Sequence, residues 1–426
     1  MFTEDFSVFD FASGIAEAVD LVSPDLNNHH KQVAYIAYNI AKEMHMTDEE
    51  IQDIVLASIL HDIGAFTCED RYKVVYAKFN DSEFNQHQVM GYKLLKNFEP
   101  FQKAADLIRY HHAFYTGPSD PTPMGCFIIH LADRVSVLLD KRREILEQVP
   151  EIMNKIYVNQ SKFPPETIDA LYRIAEMEYF WIEACLLPNY NLLSEKMRFS
   201  KKNIDLDTLK SLAKVISQII DFRSRFTSTH SCGVAAVAYE LTKICGFSEN
   251  ECRLMEIAGY LHDIGKLAIA NEILEKHGAL NYEEFNEMRK HTYYTYIILS
   301  RIKGFEEIAI CAAYHHERLD GKGYPFHVKG ENFTKLARII AVADIVTAIT
   351  EDRPYRAGMN SDKALEILSD MVDNGGIDKD IVELVHENFP RINNARIKAQ
   401  QAEQRVYNDF YNFTLSAEAE NKKNPA

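Results

Sequence analysis

Ser58-Ile-Leu-His-Asp-Ile-Gly64 and Gly259-Tyr-Leu-His-Asp-Ile-Gly265 share an identical His-Asp-Ile-Gly core, 201 positions apart. Working outward from that core, other residues of matching type recur in the same order. His29 pairs with His230, His61 with His262 and Asp62 with Asp263, each 201 apart. His87 pairs with His291, His111 with His315 and His112 with His316, each 204 apart, and Asp133 pairs with Asp344, 211 apart. The offset only grows, as a duplication with loop insertions in its second copy requires. Ten of the sixteen histidines belong to these two sets, which is not what chance placement produces.

Both copies read as helical. Val33, Ile36, Ala37, Ile40 and Ala41 keep the spacing of a buried helix face, as do Val234, Val237, Ala238, Leu241 and Cys245. Thr47-Asp-Glu-Glu50 and Ser248-Glu-Asn-Glu251 read as capped starts of the helices carrying the His-Asp pairs, with Gly64 and Gly265 expected where those helices end. Period-2 patterns are scarce, so the expected fold is all-α: two tandem helical bundles joined by a helical linker. The expected boundaries are 1–190 for the first unit, 191–205 for the linker and 206–395 for the second unit. A polar tail over 396–426 should begin helical and end disordered. Phe163-Pro-Pro165 opens a stretch through Ala184 that matches the helix after Ile377-Asp-Lys-Asp380, so each unit should close with a similar helix.

A His-Asp doublet on an otherwise apolar helix is costly unless both side chains have partners. Neighbouring helical residues point about 100° apart, so a doublet can serve two cations side by side. Its carboxylate can bridge them, while histidines and an aspartate from other helices complete the coordination. Mixed imidazole and carboxylate donors suit iron, manganese or zinc better than calcium or magnesium. A pair of such cations activates water near neutral pH and withdraws charge from a phosphate oxygen.

The net charge of −16 argues against a polymeric nucleic acid as partner. The run from Leu336 to Thr350 is interrupted by Arg338 and Asp344 and is too short to span a bilayer. Seven cysteines without a C-x-x-C pair, and an opening Met-Phe-Thr-Glu-Asp that lacks a signal-like pattern, lead to the expectation of a cytoplasmic protein.

In both halves these residues resemble the HD superfamily of metal-dependent phosphohydrolases. The second half resembles an HD-GYP domain over residues 222–392. It carries His262-Asp-Ile-Gly-Lys266, His315-His-Glu-Arg-Leu-Asp-Gly-Lys-Gly-Tyr-Pro325 and Arg353-Pro-Tyr-Arg356. The resemblance implies a bacterial second-messenger phosphodiesterase that opens cyclic di-GMP to linear pGpG or to GMP, with 3',3'-cyclic GMP-AMP as the alternative substrate. A non-catalytic nucleotide-binding signalling module, a homodimer and a signalling-protein partner are left open.

Carried over by the resemblance, the metal ligands are His230, His262, Asp263, His291, His315, His316 and Asp344. They would hold two divalent cations, iron or manganese. Lys266 would donate to the scissile phosphate and Asp263 would bridge the cations, making these two the catalytic residues. Gly323, Tyr324 and Pro325 would form a substrate-binding turn, with Tyr324 either stacking on a guanine or packing underneath. Arg353 and Arg356 would grip phosphate or guanine edges, unless they form surface salt bridges instead.

Two departures from the pattern stand out. Phe226 replaces a glutamate that helps hold a third metal in some members, hence the expectation of two. Thr347 replaces a frequent aspartate, which would deprive Lys266 of an acidic partner. The first unit retains a second set of ligand-type residues (His29, His61, Asp62, His87, His111, His112 and Asp133). It has Ala65 in place of Lys266, lacks the Gly-Tyr-Pro turn and has Arg142 in the place of Arg353. A regulatory metal or ligand site is the favoured reading there.

Overall fold

The computed structural model describes residues 6–20, 28–65, 86–186, 193, 203–221, 229–352 and 357–423. Two compact units divide the chain between Asn203 and Ile204. The strand pairing among the described residues is one two-residue ribbon, Phe6–Ser7 with Asn203–Ile204. Everything else regular is helix, as the periodicity predicts.

In the first unit, α1 (Val8–Asp20) precedes α2 (His29–Glu43) and α3 (Asp48–Leu60). Then come α4 (Gln86–Leu95), α5 (Gln102–Arg109), α6 (Met124–Leu138), α7 (Ile145–Val158), α8 (Pro165–Ala175) and α9 (Glu178–Leu186). The second unit runs α10 (Leu206–Asp221), α11 (His230–Ile244), α12 (Glu249–Leu261), α13 (Asn271–Leu274) and α14 (Tyr282–Leu299). It ends with α15 (Glu306–Ala313), α16 (Lys335–Thr350), α17 (Ser361–Asp373) and α18 (Lys379–Lys423).

The two units are built alike for local reasons. Thr47 and Glu50 form a reciprocal capping box at the start of α3, and Ser248 with Glu251 repeats it on α12. Val33, Ile36, Ala37, Ile40 and Ala41 are buried, and α2 packs against α3 and α6. Val234, Val237, Ala238 and Leu241 do the same for α11 against α12, α16 and α18. Each fully buried Ile, Leu or Val contributes about 1.5–3 kcal/mol, so these central helices anchor their bundles and fix the histidines at their first turns.

Two expectations are corrected. The His-Asp helices end at Leu60 and Leu261, with His61 and His262 as C-caps, so Gly64 and Gly265 lie beyond the helix ends. Neither glycine adopts a positive φ. Their role is close approach: a Cβ on Gly265 would collide with the His291 carbonyl, and one on Gly64 with that of His87. The missing side chain lets the next histidine-bearing helix lie against the His-Asp turn.

The closing helices also differ. In the first unit the stretch from Pro165 breaks into α8 and α9, whereas α18 continues unbroken through residue 396 to Lys423. Arg396 and Glu403 are buried, and Glu403 binds Lys214 (2.9 Å) and Gln218 (2.6 Å) on α10. The expected polar tail thus begins helical, as expected, and its opening turns as far as Glu403 pack on α10. Arg353, Arg356 and Phe226, and all of the expected linker between 191 and 202 except Leu193, lie outside the described residues. No helix is long and apolar enough to cross a membrane among those described.

Candidate metal centre

Five helices, through their ends, the turns after them and two interior positions, deliver the second unit's donors to one place. His230 opens α11, His262 and Asp263 follow α12, and His291 lies within α14. His315 and His316 follow α15, and Asp344 comes from α16. Three imidazoles are oriented by the same device, an Nδ1–H donated to the carbonyl three residues earlier. His262 donates to Gly259 (2.8 Å), His291 to Met288 (2.6 Å) and His315 to Ala312 (2.7 Å). A carbonyl can only accept, so each Nδ1 carries a proton and Nε2 is the nitrogen turned to the site.

Two donor clusters result. Ligand atoms of His230, His262 and Asp344 lie within 4.8 Å of one another, as do those of His291, His315 and His316. Asp263 stands between them: Oδ2 is 3.2 Å from His262 Nε2, while Oδ1 is 3.4 Å from His291 Nε2 and 3.8 Å from His315 Nε2. Asp263 Oδ1 is buried without a hydrogen-bond partner. A carboxylate oxygen in that state, facing two imidazole lone pairs, fits a bridging ligand for a pair of divalent cations. The structure thus brings together all seven expected ligands.

Electrostatics separate the clusters. Burial pushes His291 down to about 3 and holds His315 and His316 below the usual range as well, so these three stay neutral. Burial also works to lower His230 and His262, but their carboxylate neighbours outweigh it and raise both, with Glu351 and Asp344 acting on His230 and Asp263 on His262. A cation entering the His230/His262/Asp344 position must therefore displace protons. Its apparent affinity should fall as the pH is lowered, by at most about tenfold per pH unit for each proton displaced. The His291/His315/His316 position should change far less. Calorimetric titration of metal-free protein in two buffers of different ionisation enthalpy counts the protons released.

Lys266 lies on the turn after the His-Asp pair, and its Nζ donates to Asp263 Oδ2 at 2.6 Å. Its acidic partner is Asp263 and not residue 347, whose hydroxyl is turned back to the Ala343 carbonyl. About one-fifth of the Lys266 side chain (21%) stays exposed, so the ammonium stands at the mouth of the site.

The glycine-rich turn sits beside it. Tyr324 lies 5.0 Å, centroid to centroid, from His316, with the Arg289 guanidinium 5.0 Å from its ring. Buried Glu317 accepts from the backbone N–H groups of Phe326 (2.7 Å), His327 (3.1 Å) and Val328 (3.1 Å), which fixes the exit past Pro325. A Cβ on Gly323 would overlap the backbone of Glu317 and Arg318, so the turn closes only around glycine. Arg289 escaped sequence reasoning because nothing in its surroundings marks it.

The first unit repeats the geometry. His61 Nδ1 donates to the Ser58 carbonyl (2.8 Å) and His111 Nδ1 to that of Ile108 (2.7 Å). His29, His61 and Asp133 form one donor cluster, and Asp62, His87, His111 and His112 the other. Asp62 Oδ1 is buried and unpartnered, like Asp263 Oδ1. Ala65 is buried where the second unit has Lys266, and Arg142 is exposed and bound to Asp140 (3.0 Å).

Behind His230 lies a chain of residues that sequence reasoning missed. His230 Nδ1 faces both Glu351 carboxylate oxygens at 3.2 Å. Glu351 accepts from Gln400 Nε2 (3.1 Å), and Arg396 holds the Gln400 carbonyl oxygen. Gly233 makes room, since a Cβ there would stand 2.9 Å from Gln400 Nε2. In the first unit Gln32 holds the position of Gly233, and it accepts from Ser136 Oγ (3.2 Å), which sits 3.1 Å from His29 Nδ1. A carboxylate behind an imidazole raises its donor strength. Glu351→Ala should lower cation affinity at the His230 position about 10–100-fold, and Gln400→Ala should lower it less. Competition with a chelator reads both changes.

Comparison with known proteins agrees with this arrangement. Models of the HD domain match residues 27–138 and 214–381. The 3'3'-cGAMP-specific phosphodiesterase 1 of Vibrio cholerae is 31% identical over 88% of this chain and 90% of its own length. The cyclic di-GMP phosphodiesterase response regulator RpfG of Xanthomonas campestris pv. campestris is 37% identical over 44% of this chain and 47% of its own. A crystal structure of a cyclic GMP-AMP-specific phosphodiesterase from V. cholerae superposes with a TM-score of 0.63 at 20% identity, over 91% of this chain and 98% of that one, a likeness of fold. Paired buried donor clusters in each half, the Gly-Tyr-Pro turn beside the second and an extended match of this kind make the chain a member of the HD-GYP cyclic dinucleotide phosphodiesterase family with an additional HD domain ahead of the one bearing that turn.

Proposed function

We propose that the second unit hydrolyses 3',3'-cyclic GMP-AMP in preference to cyclic di-GMP. The observation that carries the catalytic part is the bridging position of Asp263 between two imidazole clusters, with Lys266 at its open side. The substrate assignment departs from the reading that favoured cyclic di-GMP. Its support is that two V. cholerae relatives that match across both units, over 88% and 86% of this chain, are 3'3'-cGAMP-specific.

Two divalent cations held by His230, His262 and Asp344 and by His291, His315 and His316, with Asp263 between, would supply Lewis-acid polarisation of the phosphate and a lowered pKa for the attacking water. The chain's own groups do the rest. Lys266 Nζ donates to a non-bridging phosphate oxygen as charge grows there. Tyr324, beside His316, offers a ring face to one base, and Arg289 over that ring adds a cation for phosphate or base. Buried walls exclude bulk water, which strengthens each of these contacts. The first unit, without a lysine at Ala65, is assigned a regulatory role.

The test is anaerobic purification, metal quantification, and incubation of the same sample with each nucleotide, followed by product chromatography. Faster appearance of a linear dinucleotide from cyclic GMP-AMP is expected. Faster cleavage of cyclic di-GMP would overturn the substrate assignment. Binding without turnover by fully metallated protein would make the chain a nucleotide-binding module instead.

A further inference from the structure

The two copies differ at two positions beside their metal donors, and the differences compensate one another. Aligned by the 201-residue offset, Asp20 and His30 correspond to Asp221 and Ser231. In the second unit Asp221 accepts from the Ser231 backbone N–H and hydroxyl, both at 3.0 Å. In the first, the same carboxylate position holds an imidazole: His30 Nδ1 lies 2.5 Å from Asp20 Oδ1. With Nδ1 committed to Asp20, Nε2 is the nitrogen left for a cation. Ligand atoms of His30, His61 and Asp62 lie within 4.8 Å of one another. The rings of His29, His30 and His61 stand 5.2 to 5.6 Å apart, centroid to centroid.

The second difference falls beside the aspartate. Asp344 is followed by Ile345, whereas Asp133 is followed by Arg134. Arg134 grips Asp133 Oδ2 through Nε (3.1 Å) and Nη2. Its side chain is 1% exposed. Lys266, on a flexible stem at the mouth of the second site, can leave its carboxylate when a cation arrives, but the buried Arg134 has no solvent to move into. A carboxylate sharing its charge with a fixed guanidinium is a poor ligand for a divalent cation. Meanwhile His61 Nε2 and Asp62 Oδ1 are buried without hydrogen-bond partners, and His29 Nε2 lies 3.2 Å from Asp133 Oδ1, the oxygen of the guanidinium-held carboxylate that Arg134 does not grip.

We propose that the first unit holds one of its cations on three imidazoles, His29, His30 and His61, with Asp62, while Asp133 serves Arg134 and not the cation. This rests on the reading of the first unit as a metal site. Replacing a carboxylate donor by an imidazole shifts the preference toward zinc or ferrous iron and away from manganese. The two halves of one chain would then retain different metals from the same pool.

The test uses the full chain, stripped by chelator, reloaded with Zn²⁺ and counted by elemental analysis and native mass spectrometry. His30→Ser, which installs the second copy's residue, is expected to lose about one cation per chain. Asp133→Asn is expected to lose none, whereas Asp344→Asn, the same change in the second unit, loses about one. Asp20→Asn removes only the carboxylate behind His30, so it guards against a folding defect in His30→Ser. It should weaken zinc about 10–100-fold, and Asp221→Asn should leave zinc unchanged. When zinc and manganese compete, His30→Ser should abolish one zinc-selective position. Loss of a cation in Asp133→Asn with none lost in His30→Ser overturns the assignment. Zinc content unchanged in Asp62→Ala would overturn both it and the reading beneath it, while leaving the second unit's chemistry untouched.

Discussion

Asp263→Ala should reduce turnover by at least about three orders of magnitude, because it removes the one ligand shared by both cation positions. The carboxylate's two oxygens serve different clusters: Oδ2 faces His262 and Oδ1 faces His291 and His315. Burial works to protonate it, yet His262 and Lys266 hold it ionised, so the wild-type site keeps a full negative charge between two imidazole clusters. Without that charge, two dications would repel each other across a space of low dielectric. Metal content should fall along with turnover. The corresponding change in the first unit, Asp62→Ala, should lower metal content while much of the turnover remains, since Ala65 leaves that unit without the ammonium. Equal loss of turnover in both variants, each with its helical content intact, would contradict a division of labour between the units.

Lys266→Ala should cost about 10²–10³-fold in kcat, or about 3–4 kcal/mol, with little change in metal content. Lys266 is not a donor of either cluster, and its ammonium donates to Asp263 Oδ2. Burial works to lower its pKa, but Asp263 outweighs burial and raises it, so the ammonium is charged whenever substrate arrives. A donor that strengthens its bond as charge develops on phosphorus oxygens lowers the barrier more than it tightens substrate binding. KM should therefore move little. A variant that lost metal in proportion to activity would make Lys266 a support for Asp263 and not a group acting on the phosphate.

The fold class and the ligand sets were legible because duplication prints each informative residue twice. His262-Asp263 alone is a common dipeptide, but its recurrence with five further donors in order is not. Capping at Thr47 and Ser248 was legible for a different reason, since a capping box is encoded within four residues. What stayed hidden depends on contacts made in three dimensions. Glu351 lies seven residues after Asp344, two helical turns on, so its alignment with a ligand could have been noticed. Gln400, 49 residues further along, carries no such signal. Gly265 was expected to mark a helix end, whereas the structure uses it to admit the His291 carbonyl. Arg134 and His30 look unremarkable in a basic or histidine-bearing stretch, and acquire meaning only beside Asp133 and Asp20.

The long closing helix of the second unit has one mechanical consequence. Its 45 residues form a rod about 68 Å long, and Gln400, near its midpoint, touches the carboxylate that backs His230. A tilt of a few degrees at the far end would slide Gln400 by an amount comparable to the slack in a 3.1 Å hydrogen bond. The imidazole's grip on a cation would then answer to how this helix is seated on its own bundle.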